Sequence, residues 1–258
     1  MSVRCELEER GGALVARVTI DNPKKLNILG RAALQGIVDA MRSIERNSRV
    51  RAVVVTGAGE KAFIGGAQIE ELAALDPASA RAFITLVHEA CASMRDCPLP
   101  VIARINGYCI GAGLELAAAC DLRIASANAS FSMPEVRLAI PSVVEAALLP
   151  RLIGTGRARW LVMTGDAIGA EEALAWRLVE RVVPLESLDK AVDAALDSLL
   201  ASNADVLRSQ KRLCRMWEDA PLEASIRASI DEFARAYESG APARAIAAFQ
   251  EARRSRKR

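Results

Sequence analysis

The sequence predicts an α/β protein, an alternation of strands and helices followed by a helical C-terminal region. Three observations carry the prediction. Apolar residues make up 52% of the 258-residue chain, ample for a buried core. In the first half, alternating or β-branched runs are interleaved with segments of helical periodicity. After Pro141 nearly every segment carries helical spacing.

Alternation from Ala13 to Ile20 predicts a strand, Leu34, Ile37, Val38, Met41 and Ile44 mark one face of a helix, and the β-branched run from Val53 to Thr56 predicts a second strand. The rhythm returns: Pro77 to Met94 reads as helical, Val101 to Ile105 as extended, Leu114 to Ala119 as helical and Leu122 to Ala125 as extended. Beyond Pro141 helices are expected over Val143 to Leu149, Arg157 to Met163, Ala170 to Trp176, Leu188 to Leu200, Asp205 to Trp217 and Leu222 to Tyr237. No Ser/Gly/Pro-rich linker separates the halves. One domain over residues 1–258 is expected, with an α/β core over about 1–195 and helices over about 196–258 that pack on it or on a neighbouring subunit. The stripes Leu188, Val192, Ala195, Leu196, Leu199 and Ile226, Ile230, Phe233, Tyr237 are apolar faces that need such partners.

Composition narrows the function classes. Aromatic residues are only 4% of the chain, which argues against a stacking surface for nucleic-acid bases. The net charge of +2 hides a basic end, Arg253, Arg254, Arg256, Lys257 and Arg258, without which the chain is acidic. Such a run reads as a solvated tail or as help for an anionic ligand at a subunit boundary. Six cysteines without a CxxC pair read as free thiols in a reducing cytosol. The first twelve residues lack a signal or transit pattern, and no uncharged apolar run is long enough to span a membrane, so a cytoplasmic protein is expected.

Two glycine-rich loops each follow a predicted strand and lead into a predicted helix start: Lys61 to Ile69, with Gly65-Gly66-Ala67-Gln68, and Asn106 to Glu115, with Gly111-Ala112-Gly113. Amides at a helix N-terminus are unpaired and electropositive, so two such loops facing one another can share a developing oxyanion. Taken singly, either loop is also explained as a tight turn that requires glycine.

Glu115 lies in an otherwise apolar stretch, where an unpaired buried carboxylate costs on the order of several kcal/mol; it must be solvated, held by the helix dipole, or functional. Glu135 follows Pro134 in an apolar setting and reads equally as a loop carboxylate. Two acids in different surroundings can divide general-acid and general-base work. Competing chemistries are weakly supported. Gly111-Ala112-Gly113 imitates a dinucleotide fingerprint, but Leu116 stands at the third glycine's place. His88 is the one histidine, read as an ordinary helical residue, and neither a GxSxG elbow nor a metal-binding spacing occurs.

These motifs, together and in order from Ile20-Asp21-Asn22-Pro23-Lys24-Lys25-Leu26-Asn27 to Ala247-Ala248-Phe249-Gln250-Glu251-Ala252, resemble the crotonase (enoyl-CoA hydratase/isomerase) superfamily over nearly the whole chain. The resemblance implies a spiral of ββα turns, a helical C-terminal trimerisation region and assembly as a homotrimer or hexamer. It implies an acyl-CoA substrate without a separate cofactor or metal. The oxyanion-hole amides carry over to Ala67 and Ala112, and the two acids of GxGxEL and PE to Glu115 and Glu135. Coenzyme A contacts carry over to Lys24, Lys25 and Leu26 and to Gly66, Gln68, Ile69 and Gly111.

Three departures from the family pattern bear on the reaction. Gly66-Ala-Gln-Ile-Glu-Glu71 stands where hydratases commonly read GADIKE, Met133 replaces a glutamine that often orients the PE acid, and Ser142-Val-Val-Glu145 replaces a glycine-rich segment. Glu145 is thus a possible third acid, though its spacing reads as an exposed helical position. The expected reaction is reversible hydration of 2-trans-enoyl-CoA to 3-hydroxyacyl-CoA, Glu135 delivering the α-proton and Glu115 acting as base. The alternatives are double-bond isomerisation, or a catalytically silent protein that binds RNA through its basic tail.

Overall fold

Gly11 and Gly12, both at positive φ, make the turn between β1 (Ser2–Arg10) and β2 (Ala13–Asp21), which pair antiparallel along their whole length. In the computed structural model, which describes residues 2–255, α1 (Arg31–Glu45) follows and buries the predicted face Leu34, Ile37, Val38, Met41 and Ile44. Glu71 Oε2 accepts from the Arg31 N–H at 3.1 Å and so takes up one of the free amides at the start of α1.

The chain then winds through three similar turns. β3 (Val50–Gly57) runs parallel to β2, β4 (Ala62–Ile64) leaves for a second sheet, and α2 (Ile69–Ala73) and α3 (Pro77–Asp96) return. Asp76 and Ser79 form a reciprocal cap that fixes where α3 begins. β5 (Val101–Ile105), β6 (Tyr108–Ile110) and α4 (Ala112–Ala119) repeat the pattern, and β7 (Leu122–Ser126) and β8 (Ser130–Ser132) open a third turn, continued by short 3₁₀ helices at Pro134–Leu138 and Val144–Leu148. Next come α5 (Leu149–Ile153), α6 (Thr155–Thr164), β9 (Ile168–Gly169), α7 (Ala170–Ala175), β10 (Arg181–Val183) and α8 (Leu188–Leu200).

The larger sheet has the order β1-β2-β3-β5-β7-β10 and the smaller β4-β6-β8-β9. Each turn gives one strand to each sheet and then a helix, which is the ββα spiral. β9 and β10 fall in the gaps between the helices expected past Pro141 and were not foreseen, because strands of two and three residues are too short to show a period.

Two compact units divide the chain, Met1–Ala201 and Ser202–Arg258. The first ends just after α8. Leu188, Val192 and Leu196 of α8 are buried against Val15, Ala52, Val54, Ile102 and Ile124 of the larger sheet. That stripe finds its partner within its own unit, because the residues of these strands that face away from the main core need a cover.

The second unit consists of α9 (Ala204–Asp219), α10 (Leu222–Ala236) and α11 (Ala241–Ser255). Asn203 caps α9, and the Trp217 indole N–H donates to Ser229 Oγ at 3.2 Å between α9 and α10. Ile226, Ile230, Phe233 and Tyr237 are exposed. Arg253 and Arg254 are exposed on α11, while Arg256, Lys257 and Arg258 lie outside the described residues. Among the described residues no helix is long and apolar enough to cross a membrane. Cys91, Cys97, Cys109 and Cys120 are buried, and Cys5 and Cys214 are exposed.

Candidate active site

Two buried asparagines, to which sequence reasoning assigned no role, hold the strand ends that carry the first loop. Asn27 Nδ2 donates to the carbonyls of Ala58 and Ala62, at 2.9 and 2.8 Å, and Asn106 Nδ2 donates to those of Gly57 and Ala62, at 3.1 and 3.0 Å. The loop then runs beside Leu29. The Leu29 N–H donates to Gly66 O and the Gln68 N–H to Leu29 O, both at 2.8 Å. These bonds flank Ala67 and leave its own N–H out of the ladder. Gly66 sits at φ +104°, a backbone state that only glycine adopts without strain.

The second loop delivers an amide in another way. Gly111, at φ +52° and ψ −120°, turns the chain from β6 directly into α4, and Ala112 is the first helical residue. Its N–H is one of the amides at a helix start with no intrahelical acceptor, at the positive end of the dipole. Every residue of α4 is buried. Ala67 and Ala112 both line a cavity of about 590 Å³. The rest of its wall is mainly apolar: Leu72, Leu75, Pro77, Ala80, Phe83, Ile84 and Val87 on one side, Leu138, Ile140, Pro141 and Val143 on the other. Arg81 also contributes.

Two carboxylates enter this cavity. Glu115, in the first turn of α4, is only 5% exposed, and its Oε1 accepts from the Ala146 N–H at 3.2 Å. Burial pushes its carboxyl up to about 8, assisted by the charges of Glu135 and Glu145 and opposed by the Ala146 hydrogen bond. Glu135, on the 3₁₀ turn that Pro134 begins, is half-buried, and its Oε2 accepts from Ser142 Oγ at 2.9 Å. Ser142 thus supplies the hold that Met133 cannot, since Met133 is wholly buried in the core. A Cβ on Gly111 would stand 2.3 Å from Glu135 Oε1, so glycine there also makes room for the second acid.

The other expected residues fall around this centre. Gly66, Gln68 and Gly111 adjoin the lining residues Ala67 and Ala112 along the chain and Ile69 opens α2, but none of the four lines the cavity itself. Lys24 and Lys25 are exposed on the 3₁₀ turn Pro23–Lys25, and the carbonyl of Leu26, which ends that turn, accepts from the Gly65 N–H at 2.8 Å. Glu145 departs from expectation. Instead of an exposed helical residue it is 7% exposed on the 3₁₀ turn Val144–Leu148, with Oε1 at 2.7 Å from His88 Nδ1. Sequence reasoning also missed Ser142 and the cavity-facing side of α3. The signal available for α3 was the row Phe83, Ile84 and Val87, wider than one core contact needs. No group of three or more His, Cys, Asp or Glu side chains suited to a metal occurs among the described residues.

A ββα spiral in which Ala67 and Ala112 line one mainly apolar cavity together with two acids has the build of an acyl-thioester enzyme of the crotonase type. The chain belongs to the enoyl-CoA hydratase/isomerase family, whose pattern it matches over residues 10–256. It is 36% identical to the short-chain-enoyl-CoA hydratase of Clostridium acetobutylicum, covering 96% of this chain and 95% of that protein. It is 33% identical to the crotonyl-CoA hydratase of Syntrophomonas wolfei, with 93% of each covered. Among solved structures, an enoyl-CoA hydratase from Bacillus anthracis superposes with a TM-score of 0.90 at 30% identity, covering 96% of both chains.

Proposed function

We propose that this protein adds water reversibly to a 2-trans-enoyl-CoA, forming a 3-hydroxyacyl-CoA. The observation that carries the reading is the meeting of Glu115 and Glu135 with the Ala67 and Ala112 amides in one mainly apolar cavity. The names of the relatives support the same reaction. The two N–H groups polarise the thioester oxygen and meet the charge that develops on it as the enolate forms, in a site where few other dipoles compete. The mainly apolar wall takes the acyl chain, and coenzyme A itself lies along Lys24, Lys25 and Leu26 and along Gly66 to Ile69. No cofactor enters the reaction.

Water addition needs one acid and one base, so the pair must hold one proton between two carboxylates. In the ligand-free protein burial puts that proton on Glu115. With Glu135 delivering hydrogen to Cα and Glu115 taking one from water, the proton passes to Glu135 as substrate and water enter. Both placements belong to the same one-proton state, so kcat/KM falls as pH rises through about 8, where the pair loses its last proton.

The family match over residues 10–256 supports treating both units as one crotonase-like domain, and the apolar faces of α10 support a homotrimer or hexamer. The buried thiols of Cys91 and Cys109 suit a cytoplasmic enzyme. The test is to incubate the purified protein with a panel of enoyl-CoA thioesters, follow the conjugated thioester absorbance and weigh the products. A gain of one water supports hydration; loss of conjugation at unchanged mass would replace it with isomerisation.

A further inference from the structure

Glu145 does not line the cavity, yet it is buried beside it, and its Oε2 has no hydrogen-bond partner. A carboxylate oxygen left unpaired in a low-dielectric place is costly, so it calls for an explanation. The preceding residue, Val144, sits at φ +39°, an uncommon conformation for a β-branched side chain, and this turns the segment so that Glu145 faces inward. The following residue, Ala146, gives its N–H to Glu115 Oε1 at 3.2 Å. One short turn therefore presents Glu115 with a donor and, next to it, a like charge. His88, half-exposed on α3, holds Glu145 from the outside at 2.7 Å.

We propose that His88 and Glu145 form a positioning pair for Glu115, in which the imidazole holds the Glu145 carboxylate inward, on the short turn whose next residue gives its N–H to Glu115. The titratable groups around Glu115 are few. Glu135 faces it from the turn Pro134–Leu138 and Glu145 from the turn Val144–Leu148, and both charges raise it. From α3 come Cys91, whose thiol burial pushes far up and keeps neutral, and Arg81, which lines the same cavity. Removing the Glu145 charge must therefore lower Glu115.

The proposal rests on the hydratase reading only for its kinetic test. In Glu145→Gln, whose shape is kept, the basic limb of kcat/KM moves to lower pH by about half a unit to one unit, the lower end of what a nearby like charge exerts. His88→Leu leaves Glu145 without a partner for either oxygen and free to turn away from Glu115, so the limb shifts the same way. The double variant matches the single ones, because both take the same charge away from Glu115. His88→Gln, which still offers an N–H, keeps the limb near that of the unaltered protein. A merely structural role would lower kcat at every pH and leave the limb in place. An unmoved limb in Glu145→Gln, or shifts that add in the double variant, would overturn the proposal. Carboxyl ¹³C titration of ligand-free protein, with the Glu115 signal identified by its loss in Glu115→Gln, reads the same shift without turnover. An inactive protein whose Glu115 titration still moves in Glu145→Gln would sink the hydratase reading and leave the pair intact.

Discussion

Glu115 gives up its hydration to stand in an apolar cavity, and the fold bears a cost that grows with pH. Its carboxyl is raised to about 8 in the folded chain against 4.5 as its ordinary value. The folded state holds the proton more tightly than the unfolded one, so this contribution is fully present below about 4.5 and is lost as pH rises through about 8. Glu115→Gln escapes the penalty. Thermal unfolding should show the variant above the unaltered protein by several degrees at pH 9, since roughly 1 kcal/mol moves the midpoint of such a chain about 2–4 °C, and level with it at pH 4.5. The same substitution, like Glu135→Gln, is expected to lower kcat by about 10²–10⁴, the span of a positioned acid or base. A fold more stable without its catalytic carboxyl group is how a site trades stability for chemistry. Ser142→Ala tests how Glu135 is held: a hydrogen bond to a charged group is worth about 1.5–3 kcal/mol, so steady-state kinetics should show kcat reduced roughly 10- to 100-fold with KM little changed.

At the scale of elements, the site depends on where a strand hands over to a helix. Gly111 makes that handover in one residue, at a positive φ and with no Cβ to meet Glu135. Gly111→Ala is therefore expected to strain the start of α4 and push Glu135 aside, lowering kcat by at least tenfold while circular dichroism stays unaltered; full activity would show that the loop tolerates a side chain. This motif was legible in the sequence because glycine spacing, an acid and an apolar helix coincide within ten residues. The long helices were legible too, since Leu34, Ile37, Val38, Met41 and Ile44 repeat with the helical period that burial imposes. β4, β6, β8 and β9 were not all recoverable, because two or three residues cannot display a period. Glu145 was misread for a related reason: helical spacing suggested an outward position, whereas a 3₁₀ turn and the φ of Val144 rotate it inward.

For the whole molecule, what the sequence could not decide is which apolar faces are covered within one chain. Two stripes of the same appearance had opposite fates: that of α8 lies buried on the larger sheet, while Ile226, Ile230, Phe233 and Tyr237 of α10 and the turn after it stay exposed. Phe233 is 68% and Leu222 77% exposed, and with Trp217, Ile226 and Ile230 they line a groove of about 570 Å³. Leaving so many large apolar side chains in water is unfavourable at roughly 25 cal/mol for each Å², which favours burial between copies of the chain. The expected state is a homotrimer or hexamer, and light scattering at micromolar concentration should return three or six times the chain mass. Ile230→Glu combined with Phe233→Glu places charges on that face and should release smaller species. The closed rotational symmetry of a trimer repeats the defect at every interface, so dissociation should be steep rather than partial. A monomeric mass for the unaltered protein would reject the assembly, and an intact oligomer in the doubly substituted chain would move the interface away from α10.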